Sequence, residues 1–364
     1  MRYAVIMAGG SGTRLWPMSQ AGLPKQLIPF IGGQCLLEIA YDRFEGMVPV
    51  ESRFLCAAQK HKEAILSTIP TMDDSRFLGE PVGRDTLAAV GLSAAVLAAK
   101  DRDAVIGVFT SDHLIEPMAD FQKIITEGFL LVEQQPDTLA TFGVTPTGPS
   151  TGFGYLELGE ALAGTACVVD RFQEKPVQEV ADEYFRQGPG RYLWNSGMFV
   201  WKAETLLSCI ERYEPEVYEG LQAIAEDWGG PSQTEVVDKI FPKLKKTSVD
   251  YAVMEPASRD PRVQVAAVPM PIQWLDVGSW PAFAETRPHD DQSNAIAADN
   301  HLLQDSSNCL VASSDPDHLI ATLGCDELII IHTDQATLVC RADQAEGIKA
   351  LQQAVHERFD GRYT

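Results

Sequence analysis

Apolar and polar positions follow two periods along this chain. Residues 3–7, 53–57, 104–109 and 139–144 are short, nearly continuous apolar runs, which predict buried strands. Residues 36–44, 60–69, 86–99 and 121–134 carry apolar positions at helical spacing and predict helices. Strands alternating with helices predict a doubly wound α/β domain, a fold that binds ligands beyond the carboxyl ends of its strands. Near Trp280 the pattern changes. Residues 285–300, "ETRPHDDQSNAIAADN", are polar and proline-broken and read as a linker. After them come closely spaced β-like pieces at 309–314, 318–324, 327–333 and 336–341, then a helical pattern over 343–359. The expected division is therefore 1–285 for the α/β domain and 286–364 for a small β-rich domain with a terminal helix.

Composition narrows the function classes. The net charge of -22 opposes non-specific binding to nucleic acid or to an anionic membrane. Any phosphate must then be held by a few local cations. No apolar run approaches the ~18 residues of a membrane span, and "MRYAVIMAGG" reads as a strand and its turn rather than a signal peptide. The seven cysteines are dispersed without a C-x-x-C pair, which predicts reduced thiols and a cytoplasmic protein.

Candidate chemistry begins directly behind the first strand. Gly9, Gly10 and Gly12 are followed by Thr13 and Arg14, matching neither the dinucleotide fingerprint nor the P-loop. Adjacent glycines let backbone N–H groups form an anion nest. Arg14 can fork across two phosphate oxygens, and Lys25 adds a compact charge. The same residues also suit a tight strand-to-helix turn with solvated cations. Asp112 in "TSDH" ends a strand, and Asp276 in "WLDVGSW" supplies a second carboxylate. Such a pair suits magnesium held together with phosphate oxygens, or else two turn caps. Glu174 and Lys175 in "RFQEKP" read as a surface pair, and Asn195 in "WNSGMF" can donate and accept toward a hydroxyl. The seven histidines show no zinc-type spacing, and His113 reads as support for Asp112. No serine–histidine–acid arrangement is apparent.

"AGGSGTRLWPMS" followed by "LPKQ" resembles the signature of the sugar-1-phosphate nucleotidyltransferases, and its Trp16-Pro17-Met18-Ser19 continuation resembles their mannose-1-phosphate guanylyltransferase branch. The motifs "GEPVGRDTLAAV", "TSDHLI", "PTGPSTGFGYLELG", "VDRFQEKP", "LWNSGMFVW", "SVDYAVMEPA" and "WLDVGSW" follow in that family's order over about the first 285 residues. The resemblance implies a Rossmann-like domain with a mixed sheet and a short left-handed β-helix that packs or dimerises, which allows a homodimer. It implies that GTP and mannose 1-phosphate give GDP-mannose and pyrophosphate, with magnesium or another divalent cation as cofactor.

By the same resemblance Ala8, Gly9, Gly10, Gly12, Thr13 and Arg14 bind the nucleotide. Glu80, Pro81, Arg84, Asp85 and Thr86 lie against the base, with Ser111 and Asp112 completing the nucleotide set. Arg14, Lys25, Asp112 and Asp276 carry catalysis, the two aspartates holding the metal. Gly154, Glu174, Lys175, Asn195, Ser196 and Gly197 hold the sugar phosphate. One segment departs from the family pattern: where asparagine, threonine, alanine and proline are usual this chain has Asp85-Thr86-Leu87-Ala88, and Asp85 puts an acceptor in place of an amide. A nucleotidyltransferase for another hexose 1-phosphate or NTP, and a catalytically silent nucleotide-sugar sensor, are the alternatives. Longer relatives carry a fused phosphomannose isomerase domain; here no mannose-6-phosphate isomerase activity is expected.

Overall fold

The computed structural model describes residues 1–364 apart from Ser11, Ala21 and Gly32, and apart from the side chains of Phe30 and Ile31. It forms two compact units. One comprises Met1–Gly9, Ala40–Ser111 and Ile115–Trp274, the other Gly10–Ile39, Asp112–Leu114 and Leu275–Thr364. These units are not two consecutive segments, because residues 10–39 belong with the C-terminal part.

The first unit is built on a nine-stranded sheet. In chain order its strands are β1 (Arg2–Met7), β2 (Arg53–Ala58), β3 (Phe77–Glu80), β4 (Val105–Thr110) and β5 (Thr138–Val144), then β6 (Tyr155–Ala161), β7 (Cys167–Gln173), β8 (Tyr192–Lys202) and β9 (Gln264–Pro269). Their spatial order is β3-β2-β1-β4-β8-β5-β9-β7-β6. β1 runs parallel to β2 and β4, whereas β8 runs antiparallel to β4 and β5, so the sheet is mixed. The four strands expected from apolar runs are β1, β2, β4 and β5. Ala4, Val5 and Ile6 are wholly buried, as strands covered on both faces require. Helix α1 (Asp85–Lys100) is buried all round from Leu87 to Leu97. Gly91 makes room for this, since a Cβ there would lie 2.4 Å from Leu221 Cδ1. The expected helix over 60–69 is shorter, Lys62–Thr68, and follows a 3-10 turn at Gln59–His61.

The second unit coils. Its strands β10 (Ala295–Ala297), β11 (Asn300–Gln304), β12 (Leu310–Ser313), β13 (Leu319–Leu323) and β14 (Leu328–His332) go alternately to two parallel sheets. One sheet is β10-β12-β14 and the other β11-β13, the arrangement of a short β-helix. β15 (Thr337–Arg341) closes it by pairing antiparallel to β14. The chain then passes through a 3-10 turn (Ala342–Gly347) into helix α2 (Ile348–Arg358). Leu310, Ala312, Ile329, Ile331 and Leu338 share one core with Leu15, Trp16, Val277 and Trp280. Trp280 Nε1 donates to the Trp16 carbonyl at 3.0 Å, and Trp16 Nε1 to the Tyr363 carbonyl at 2.7 Å.

The stretch 285–300 is not a linker. Asn294 is wholly buried, donating to Asp290 and to the Ser306 carbonyl while accepting from Cys309 N–H. Its polar side chain replaces missing backbone partners inside the first coil, which is why a polar sequence is ordered here. Among the described residues no helix is long and apolar enough to cross a membrane.

Candidate active site

In the first unit β1 ends at the glycine loop, where Ala8 N–H donates to the Cys56 carbonyl at 2.8 Å and Ser111 N–H to the Met7 carbonyl at 3.2 Å. These bonds fix the carboxyl ends of β1 and β4, the place a nucleotide loop requires. Glu80 ends β3, is buried, and is pushed up to about 7 by that burial. Asp85 begins α1 with φ 64°, in the left-handed region that Asn and Asp tolerate better than other side chains. Its Oδ1 accepts from Thr86 N–H at 2.8 Å, a role that an amide oxygen also fills, so the departure from asparagine leaves this turn intact. Thr86 Oγ1 accepts from Val249 N–H at 3.0 Å. Arg84, beside Pro81 in the same turn, has a buried Nε with no hydrogen-bond partner among the described residues.

The sugar-phosphate candidates gather in this same unit. Lys175 Nζ lies 2.9 Å from Glu174 Oε1. Gly154 is required beside them, since a Cβ there would lie 2.5 Å from Glu174 Oε2. Its carbonyl accepts from Asn195 N–H at 2.8 Å. The Asn195 side chain is held at both ends: Oδ1 accepts from Thr141 Oγ1 and Nδ2 donates to Asp250 Oδ1, each at 2.8 Å. Gly197 has φ 70° where β8 shifts register between Asn195 and Phe199, and Ser196 Oγ accepts from Met198 N–H at 3.3 Å. Lys175 itself sits at φ 42°, an uncommon left-handed lysine of the kind found at functional turns.

Asp250 was not singled out by sequence. It stood unassigned within "SVDYAVMEPA", and only its bond to Asn195 draws attention to it. It opens a π-helical turn, Asp250–Met254. Burial, and then the nearby Glu174 charge, push its carboxyl up to about 7.

The second unit gathers Arg14, Lys25, Asp112 and Asp276. Gly12 has φ 61°, and a Cβ on it would lie 2.7 Å from Lys25 Cβ and 2.6 Å from Ser19 Oγ. Glycine is therefore what lets the loop lie against Lys25. Gly10, with φ 104°, needs the same freedom. Thr13 and Arg14 lie in the 3-10 turn that follows, Thr13–Leu15. Lys25 is buried and donates to Asp112 Oδ2 at 2.5 Å. Burial pushes the Asp112 carboxyl up, but Lys25 and His113 outweigh it and hold the group below its ordinary value.

Ligand atoms of Asp112, His113 and Asp276 lie within 4.8 Å of one another. Val277 N–H donates to the Asp112 carbonyl at 3.0 Å, tying the two aspartate-bearing segments together. Asp276 Oδ1 is buried and has no hydrogen-bond partner among the described residues. A buried carboxylate oxygen left unpaired is costly, and converging carboxylates suit a hard divalent cation. The two carboxylates therefore fit magnesium, with His113 beside them helping to keep Asp112 ionised. A Cβ on Gly278 would lie 3.2 Å from Asp276 Oδ1 and 3.5 Å from Arg14 Nη2, so the carboxylate and the guanidinium flank one bare backbone position. Arg14 Nη1 also reaches Glu346 Oε1 at 3.4 Å, an exposed pair worth little.

Comparison with known proteins divides the chain linearly instead. The family model described as "Nucleotidyl transferase" matches residues 3–293, and that described as "MannoseP isomerase/GMP-like beta-helix domain" matches residues 299–353. Proteins named mannose-1-phosphate guanylyltransferase from Klebsiella pneumoniae and Escherichia coli are each 34% identical over 358 residues, covering 96% of this chain and 73% of theirs. A crystal structure from Thermus thermophilus, described as a "mannose-1-phosphate geranyltransferase", superimposes with a TM-score of 0.84 at 30% identity, over 98% of this chain and 99% of that one.

Proposed function

This chain belongs to the nucleotidyl transferase family, and from that premise we propose that it makes GDP-mannose and pyrophosphate from GTP and mannose 1-phosphate. A sugar-phosphate oxygen attacks the α-phosphorus of GTP, a new O–P bond forms, and the α–β bridging bond breaks to release pyrophosphate. No protein nucleophile is required. The protein aligns the reactants and neutralises charge.

Arg14 meets the nucleotide phosphates where charge grows, and Lys25 keeps Asp112 ionised. The bare backbone of Gly9 and Gly10 admits the phosphates, while Glu80 and the turn 81–86 lie against the base. Lys175 binds the phosphate of the sugar phosphate, and Glu174 and Asn195 take its hydroxyls beside Gly154. Asp112 and Asp276 would hold magnesium, which when bound supplies charge neutralisation to the phosphates. The reaction class rests on the family match, and the unpaired, buried Asp276 oxygen converging with Asp112 supports a divalent cation beside the phosphates. The choice of guanine and mannose rests on the names of the two relatives at 34% identity. We extend the reading to a cytoplasmic enzyme with a catalytic part over 1–285 and a β-rich part over 286–364 that pairs two copies.

The test is pyrophosphate release by the purified chain over four NTPs and several sugar 1-phosphates. GTP with mannose 1-phosphate should turn over fastest. A faster alternative pair would replace the substrate assignment, and silence with every pair would leave a nucleotide-sugar sensor.

A further inference from the structure

The β-helix carries a cluster that plays no part in the reaction above. Asp315, His318 and His332 bring ligand atoms within 4.8 Å of one another. No sequence spacing reveals this, because the two histidines lie on successive turns of the coil. His332 ends β14 and stands in register with Ser313 at the end of β12. Ser314 N–H donates to the His332 carbonyl at 3.0 Å, fixing the loop to the strand end. The Ser313 hydroxyl and the Asp315 backbone bond each other, and Asp317 N–H donates to Asp315 Oδ1 at 2.9 Å. The two imidazoles stack with centroids 3.5 Å apart and planes inclined by 14°. His332 Nδ1 lies 2.9 Å from Thr337 Oγ1 on β15. With Nδ1–H donating to that hydroxyl, Nε2 presents its lone pair, the arrangement by which a neighbouring group orients a metal-binding histidine.

We propose that Asp315, His318 and His332 form a site for a divalent transition ion of the zinc class, clipping the 313–318 loop to the ends of β14 and β15. Two imidazoles and one carboxylate suit zinc-like ions, whereas magnesium and calcium take oxygen ligands. Donors on one zinc lie roughly 3.3 Å apart, given bonds of about 2.0 Å, so ligand atoms within 4.8 Å of one another have to draw closer, and the stacked rings to turn apart, to share one ion. The Asp112–Asp276 group is different in kind, being dominated by carboxylates beside two cations.

The experiment is equilibrium dialysis of the chelator-stripped full chain against Zn2+, with Co2+ as the spectroscopic stand-in. His318→Ala and His332→Ala should each lose one bound equivalent that Asp112→Asn retains. The Co2+ spectrum of that equivalent should lack a sulfur-to-metal band, which excludes the cysteines. Thr337→Val, which keeps both ligands, should weaken the same equivalent by roughly tenfold. Zn2+ should raise the melting temperature of the wild type more than that of His318→Ala. Unchanged stoichiometry in both histidine variants, or a thiolate band, overturns the proposal. If His332→Ala does not fold, the loop variant His318→Ala decides alone.

Discussion

Two lysine–carboxylate pairs, one in each compact unit, have the same residue types and opposite electrostatic outcomes. Lys25 has an 11% exposed side chain and meets Asp112 at 2.5 Å; Lys175 has a 52% exposed side chain and meets Glu174 at 2.9 Å. Around Lys25, cations match the carboxylates, and Asp112 is held firmly ionised. Around Lys175, one cation faces both Glu174 and Asp250, and Asp250 is driven up to about 7. Burial pushes both carboxyls up, and the nearby charges then separate them: Lys25 and His113 outweigh it at Asp112, whereas the Glu174 charge adds to it at Asp250. A balanced cluster gives fixed charge suited to metal and phosphate. A cation-poor cluster gives groups that shed charge by holding a proton, which suits hydroxyl recognition.

The largest expected effect tests the fixed-charge cluster. Asp276→Asn keeps the shape and removes one charge, and kcat should fall by about a hundredfold or more, comparable to losing one strong transition-state contact. Asp112→Asn should do at least as much, because it also strips Lys25 of its partner. EDTA should silence the wild type, and magnesium should restore it. Steady-state assays decide this, and near-normal turnover by Asp276→Asn would remove that residue from the metal.

A smaller effect separates the two lysine-bearing clusters. On the proposed assignment, Lys175→Ala leaves the sugar phosphate without its cation. Because Lys175 is half exposed, the loss should sit near the low end of the range for charged pairs, roughly 2 kcal/mol or about thirtyfold. It should appear as a raised KM for mannose 1-phosphate with the KM for GTP little changed. Arg14→Ala should instead lower kcat. If Lys175→Ala weakened GTP alone, the two clusters would have to exchange roles.

The pH dependence of stability sharpens the contrast further. Asp250 titrates near 7 when folded and near its ordinary 3.8 when unfolded. Over that window the folded chain holds a proton that the unfolded chain has released, so stability falls as pH rises and levels off above about 7. Glu80, raised from 4.5 to about 7, adds the same sign. Asp250→Asn keeps an acceptor for Asn195 and removes the charge. Its melting temperature should already exceed wild type at pH 5, and the gap should widen by roughly 2–4 °C between pH 5 and pH 8. An equal difference at both pH values would mean that packing, not charge, is responsible.

What the sequence made legible follows from range. β1, β2, β4 and β5 stand out because strands buried on both faces are continuous apolar runs. β8 does not, since "WNSGMF" interrupts it with polar residues and a register shift. Arg14, Lys25, Asp112 and Asp276 were readable from local motifs, and the fold places them in one unit. Asp250 was not, because its meaning lies in a hydrogen bond to Asn195 across 55 positions. The packing of Trp16 with Trp280 and Tyr363 is equally long-range, and a linear division of the chain cannot express it.

The smallest effect concerns Asp85, which stands where the family motif has asparagine. If this residue read the base directly, exchanging acceptor for amide would alter nucleotide choice strongly, since a site built on a specific hydrogen bond rejects its analogue by large factors. The geometry argues otherwise. Its Oδ1 is already committed to Thr86 N–H, and its left-handed backbone is one that asparagine also adopts. Asp85→Asn should therefore leave the GTP-to-ATP preference within about threefold, a change of less than about 1 kcal/mol. Asp85→Ala loses both the acceptor and the tolerance for φ 64°, and should cost about 1–2 kcal/mol of stability. Competition between GTP and ATP in one assay, with thermal melts of both variants, separates the outcomes. A large shift in nucleotide preference in Asp85→Asn, without loss of stability, would make Asp85 a base-reading residue rather than a turn-former.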